Sequence, residues 1–215
     1  MISELQNHLS DIYKVDPGYD VADFLITDPR VAGALGGDGL LANTEETVLL
    51  QEDSDGLAIS VFLDSELLTR LQAHDPLRLL TANQLKDLWT VLEGISHFSY
   101  LAWSARKNRR VSLLELEMQA EIDKFVSALF LAVDQEDSEL VDNMHHRLFD
   151  EIDFHNDLDD DQRERYAVAN AYAARFCHGL RNRIANDSDL GLQELRRYYR
   201  MSQCDKISHI HSHAF

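Results

Sequence analysis

Apolar and polar positions change their spacing near residue 64. On the amino-terminal side, Leu5, Leu9, Ile12 and Tyr13 recur every three to four residues and predict a short helix over 3–15, closed by Asp16-Pro17-Gly18. Residues 21–34 read as a second piece, broken at Asp28-Pro29 because proline restricts the residue before it. Gly33, Gly36, Gly37 and Gly39 follow. They lack the Gly-Lys-Ser/Thr of a phosphate loop, and no strand precedes them, so they read as a turn. Two runs rich in strand formers, 46–52 and 57–63, flank Asp53-Ser54-Asp55-Gly56 and predict a hairpin over 46–63 that turns at Asp55-Gly56. A lone hairpin is marginal in water. It requires a further strand, for which 23–26 is the candidate, or a helical surface to lie on.

Beyond residue 64 the spacing is helical, over 65–72, 81–106, 112–133, 138–152, 161–184 and 191–201. The expected fold is α+β, predominantly α, with an amino-terminal β-hairpin or small sheet followed by an antiparallel helical bundle. Three regions are expected within one compact domain: a small α+β region over 1–80, a helical bundle over 81–206 and a flexible histidine-containing tail over 207–215.

Projection at 100° per residue separates the faces of these helices. In 81–106, Leu85, Leu88, Trp89, Leu92, Ile95, Ala102 and Trp103 form the core side, which leaves His97, Glu93 and Thr90 on the far, solvent side. In 112–133 the stripe is Leu114, Met118, Ile122, Phe125, Val126, Leu129 and Val133. Glu117 and Glu121 point away from it, with Lys124 in reach of Glu121 on a face expected to be solvated. Glu115 lies beside the stripe, one turn after Ser112, where a cap and the helix dipole both favour a carboxylate. His145 borders the buried side of 138–152, and His146 stands one turn from Asp150, a surface pair or half of an ion site. The acidic loop that follows sets Asp153, Asp157, Asp159, Asp161 and Glu164 at EF-hand positions, but His155 and Leu158 replace a ligand and the turn glycine, which favours a helix cap over a calcium loop. Cys177 falls among apolar neighbours as a core thiol.

Charge changes this picture. Thirty-eight acids against 20 Lys and Arg give −18, which disfavours free duplex DNA as a partner. Residues 111–161 hold 16 acids and 2 bases, whereas 162–215 hold 5 acids and 9 bases. The basic residues either answer the acidic helices or, if Arg106, Arg109 and Arg110 meet Arg196, Arg197 and Arg200, form an anion site. Two cysteines without a CxxC pair, a start without a basic and apolar leader, and no apolar run of about 18 residues imply a cytoplasmic protein that does not enter a membrane. In the tail, His209, His211 and His213 alternate at period two, which suits adventitious metal binding if the segment is extended.

Gly-x-Ser-x-Gly, His-Glu-x-x-His, Walker A and Glu-x-x-His are all missing from the chain. The leading expectation is therefore an acidic regulatory or interaction module that meets a protein partner through its charged surface. Two other classes stand beside it. One is a divalent-metal-dependent helical enzyme that draws on His97, Glu115, His145, His146, Asp150, His155 and His178, with Glu115, His145, His146, Asp150 and His155 as the ligand set. The other is a binder of a phosphorylated small molecule through the two arginine clusters.

Overall fold

The computed structural model describes residues 1–37, 44–53, 56–151 and 158–212. The first helix, α1 (Ile2–Tyr13), buries Leu5, Leu9, Ile12 and Tyr13 and stops where Lys14 turns left-handed, so the predicted spacing is also the buried face. A 3-10 turn over Val21–Phe24 leads into the two-residue strand β1 (Leu25–Ile26). Helix α2 (Pro29–Gly36) starts with Pro29 in its first turn and Asp28 as its cap, the side chain accepting from Arg30 N. The proline thus begins a helix instead of breaking one, and Gly33 and Gly36 lie inside it.

β2 (Glu46–Asp53) and β3 (Gly56–Leu63) pair antiparallel from Glu46↔Leu63 to Asp53↔Gly56, which is the predicted hairpin. Ser54 and Asp55, on which half of the predicted turn falls, lie outside the described residues. β3 also pairs in parallel with β1, at Leu25↔Val61 and Ile26↔Phe62, so the sheet runs β1-β3-β2. The hairpin acquires both supports foreseen for it, a third strand near residue 25 and a helix beneath.

α3 (Ser65–Ala73) is capped by Asp64, which accepts from Glu66 N and Leu67 N. After a 3-10 turn over Ala82–Gln84 come α4 (Leu85–Ala105), α5 (Leu113–Asp134), α6 (Ser138–Phe149), α7 (Asp160–Asn186), α8 (Ser188–Tyr199) and α9 (Gln203–Ser212). α4 and α5 are antiparallel: Ser96 meets Asp123, Tyr100 meets Glu115 and Glu93 meets Lys124, so numbers rise along one helix as they fall along the other. The class is α+β and predominantly α, with its strands in the amino-terminal part. No helix of the described residues is long and apolar enough to cross a membrane.

One core serves the whole arrangement. Leu5 of α1, Val61 of β3, Leu88 of α4, Phe125 of α5, Phe176 of α7 and Ile210 of α9 belong to a single buried cluster. α5 packs against α4, α6, α7 and α1, while α4 lies between α5 and the sheet. Helices so enclosed have no solvent face to spare, and their polar residues must find partners inside.

Candidate functional site: a buried carboxylate and histidine cluster

At Gly94 the sheet comes down onto α4. A Cβ there would stand 3.0 Å from Val61 Cγ1 and 3.1 Å from Glu46 Oε1, so the missing side chain is what lets the strands approach. Glu46, the first residue of β2, is thereby set beside His97, with its Oε1 3.8 Å from Nδ1. On the other edge of the ring, Nε2 lies 3.5 Å from Glu117 Oε2 of α5. Glu93 stands one helical turn before His97. Ligand atoms of Glu93, His97 and Glu117 all lie within 4.8 Å of one another. Lys124 closes the cluster, reaching Glu93 Oε2 at 3.0 Å and Glu121 Oε1 at 2.7 Å.

The cluster is dry. His97 is 6% exposed and Glu117 7%, and the side chain of Glu46 is 12% exposed. Among the described residues, Glu46 Oε1 and His97 Nε2 are buried without a hydrogen-bond partner. Unmade bonds of this kind cost about 1–3 kcal/mol each, so they mark a place kept for something other than stability.

Protons and charges are held tightly here. Burial pushes His97 down, but Glu117 and Glu46 outweigh it and hold the imidazole well above its ordinary value. Burial raises the Glu46 carboxyl to about 7. Burial also works against ionised Glu93, yet Lys124 and His97 keep it below the usual carboxylate range. Glu121 is raised by burial, with Lys124 opposing. Four carboxylates thus share one lysine and one histidine, a surplus of negative charge in low dielectric.

A second polar network lies deeper in the bundle, and its members are mutually satisfied. Asp123 accepts from Tyr13 OH at 2.5 Å, Ser96 Oγ at 2.6 Å and Gln119 Nε2 at 2.7 Å. Gln119 Oε1 accepts from Lys206 Nζ at 2.6 Å, which also donates to Tyr100 OH at 2.7 Å. Tyr100 donates to Glu115, whose carboxylate pairs with Arg109. Arg109 in turn reaches Tyr100 OH at 2.9 Å and the Met201 carbonyl at 2.7 Å. This network ties α1, α4, α5 and α9 together.

Of the metal set read from sequence, the described members Glu115, His145, His146 and Asp150 are not brought together as one ligand group. Glu115 is taken by Arg109 and Tyr100, and its N–H donates to the Ser112 cap at 3.1 Å. His145 Nε2 lies 2.9 Å from the Ala174 carbonyl, with its ring among Phe125, Phe149 and His178. His146 is exposed and pairs with Asp150 at 2.9 Å, the plain surface pair. His155, with Asp153 and Asp157 of the acidic loop, lies outside the described residues, whereas Asp159 caps α7 in a capping box with Gln162.

Four of the six arginines read from sequence as an anion site have protein partners. Arg109 is committed to Glu115. Arg106 donates to the Asp16 carbonyl at 3.2 Å, Arg196 to the Ile12 carbonyl at 2.8 Å, and Arg200 to the carbonyls of Tyr13 and Lys14 at 3.1 and 2.9 Å. Guanidinium groups here cap the carboxyl end of α1, where carbonyls lack helical partners. Arg110 and Arg197 are exposed. Cys177 is a buried thiol, raised well above its ordinary value by burial, as a core cysteine is.

Two faces expected to meet water are instead internal. The helical projection puts Glu93 and His97 on the outside of α4, and Glu117 and Glu121 on the outside of α5; the pairing of Lys124 with Glu121 is as expected, but its setting is not. The reason is topological. The polar faces of two consecutive antiparallel helices meet, and the sheet covers the seam. The i, i+4 pairs Glu93/His97 and Glu117/Glu121 were the available signal. A Glu117→Lys substitution should then bring a second cation against His97 and destabilise the protein by about 3–5 kcal/mol in urea unfolding, not leave it unchanged as a solvated position would.

Compared with models of known families, with characterised proteins and with solved structures, the chain matches none.

Proposed function

We propose that the protein binds one divalent first-row transition-metal ion at Glu93, His97 and Glu117, and that its function depends on that ion. The observation that carries this reading is the convergence of the three side chains on one another, with His97 Nε2, which faces Glu117, buried and without a hydrogen bond. One imidazole with two carboxylates suits Zn²⁺, Mn²⁺ or Fe²⁺. A separation of 3.5 Å between Nε2 and the Glu117 oxygen corresponds to an angle of about 110° at an ion with ligand distances of about 2.1 Å. All three ligand atoms lie within 4.8 Å of one another, close to the span of about 4.2 Å that two ligands have across such an ion. Charge favours the same occupant. A dication that displaces the Nε2 proton of His97 adds one net positive charge to a cluster whose carboxylates outnumber its cations.

The reading as an acidic interaction surface rests on fewer groups than the residue count suggests, since Glu115, Glu117 and Asp123 are buried. A phosphate binder would need guanidinium groups that are already engaged with backbone carbonyls.

The test is metal analysis of untagged protein purified without a nickel column, followed by Zn²⁺ titration. About one equivalent is expected, with a rise in melting temperature as metal is added. Glu93→Gln, His97→Asn and Glu117→Gln should each abolish stoichiometric uptake, and a His211→Ala, His213→Ala protein should retain it. Wild-type protein that takes up no metal and shows no thermal shift with Zn²⁺, Mn²⁺ or Fe²⁺ sinks the proposal.

A further inference from the structure

We infer that Glu46, supplied by the sheet, is a positioning residue of this site: it accepts the Nδ1 proton of His97 and so presents Nε2 to the ion, without ligating it. The inference rests on the metal reading above. An imidazole ligates through one nitrogen, and the hydrogen bond made by the other decides which one. In this chain the two nitrogens face different elements. Nε2 looks toward Glu117 of α5, 3.5 Å away, and Nδ1 toward Glu46 of β2, 3.8 Å away. Glu93, His97 and Glu117 form the converging set, and Glu46 stands outside it at the opposite edge of the ring.

Three observations favour an outer role for Glu46. Its Oε1 is buried and has no hydrogen-bond partner among the described residues, so an acceptor waits beside Nδ1. Its position is fixed by the backbone, because the glycine at 94 admits the Glu46 side chain to within 3.1 Å of where a Cβ would be. Its ion pair within the cluster is with His97, whereas Lys124 pairs with Glu93. Short movement of the Glu46 carboxylate closes 3.8 Å to a hydrogen bond. A carboxylate–histidine–metal relay results, in which the sheet sets the ring and the bundle supplies the ligands.

Zn²⁺ competition titrations of wild type, Glu46→Gln and Glu46→Leu test this, with Glu117→Gln as the ligand control. Both Glu46 variants are expected to keep one equivalent of zinc. Affinity should fall about 10- to 100-fold in Glu46→Leu and less in Glu46→Gln, whose amide oxygen still accepts. In zinc-loaded wild type, long-range ¹H–¹⁵N spectra should show His97 protonated at Nδ1 with the metal on Nε2. Should Glu46→Leu fail to fold, Glu46→Gln and the ring assignment decide alone. Wild-type affinity in both variants, loss of the zinc equivalent in either, or zinc on Nδ1 would overturn the positioning role and leave the metal reading standing. Wild-type protein that binds no zinc, manganese or iron overturns both.

Discussion

Truncating the chain after Cys204 is expected to lower the melting temperature by about 10 °C or more. The tail over 207–215 reads in sequence as a flexible end, yet it is helical through Ser212 as part of α9. Ile210 is fully buried, worth about 1.5–3 kcal/mol of apolar transfer. Lys206 is fully buried too, and its ammonium group sits 4.5 Å from the Tyr100 ring centroid and 5.3 Å from that of Tyr198. Removing it strips Gln119 Oε1 of its donor and takes one donor from Tyr100 OH. A buried acceptor left bare costs about 1–3 kcal/mol. His209, 2.9 Å from Glu194 with both side chains nearly buried, is lost as well. Summed, the loss exceeds about 4 kcal/mol, and each kcal/mol shifts the midpoint of a chain this size by about 2–4 °C. Calorimetry of the truncated and full chains checks it, and coincident transitions would return α9 to the status of an ornament. Within the helix His209 and His211 point to different sides, as residues two apart on a helix do, while His213 lies outside the described residues.

Stability should depend on pH through the same network, and the Lys206→Met protein isolates the effect. Burial pushes the Lys206 ammonium down to about 7, against Glu115 and Asp123, with Arg109 acting in the same sense as burial. Its unfolded value is near 10.5, so between the two values the unfolded chain binds the proton and the folded chain does not. The contribution of this group is therefore present above pH 10.5 and is lost as pH falls through about 7. Asp123 acts in the opposite direction. Burial raises its carboxyl to about 6 despite hydrogen bonds from Ser96, Tyr13 and Gln119, so its contribution is present below pH 3.8 and lost as pH rises through about 6. For this pair the least favourable window lies between about 6 and 7, with both groups charged. Lys206→Met removes one titration and, because the lysine helps hold the Asp123 carboxyl down, lets that carboxyl rise further in the variant, which widens the difference in the same direction. From pH 7 to pH 9, wild type should gain about 2–3 kcal/mol over the variant, near 1.4 kcal/mol per pH unit. Urea unfolding at several pH values measures that difference, and a flat one refutes a depressed Lys206.

The two networks differ in what they ask of the chain. Asp123, Glu115 and Lys206 have partners for their polar atoms and hold four helices in register, which is a structural task. The cluster at His97 is buried but unfinished, with polar atoms aimed at one another across distances too long for hydrogen bonds. A fold could have filled that seam with leucine at less cost.

Local periodicity determined the helices, the hairpin and the fold class. Alternation in 46–63 and the three-to-four spacing after residue 64 are properties of single segments, and burial of one face fixes the element whatever surrounds it. Caps were legible for the same reason: Ser112, Asp159 and Asp28 act on residues two or three positions away. A similar local signal, Ser202 with Asp205 three residues on, announces α9, with Ser202 Oγ accepting from Asp205 N at 3.3 Å. What each polar face meets was decided only by the tertiary structure. A projection separates apolar from polar but cannot say whether the polar side faces water or another polar side. Glu93, His97, Glu117 and Lys124 look like solvated residues in any one helix, and they become a buried cluster because α4 and α5 run antiparallel and β2 crosses Gly94. Arg109, Arg196 and Arg200 look like an anion site for the converse reason: their partners, Glu115 and the free carbonyls of α1, lie far away in sequence or on another helix face. Electrostatic partners are chosen by distance in space, and no spacing along the chain encodes that distance.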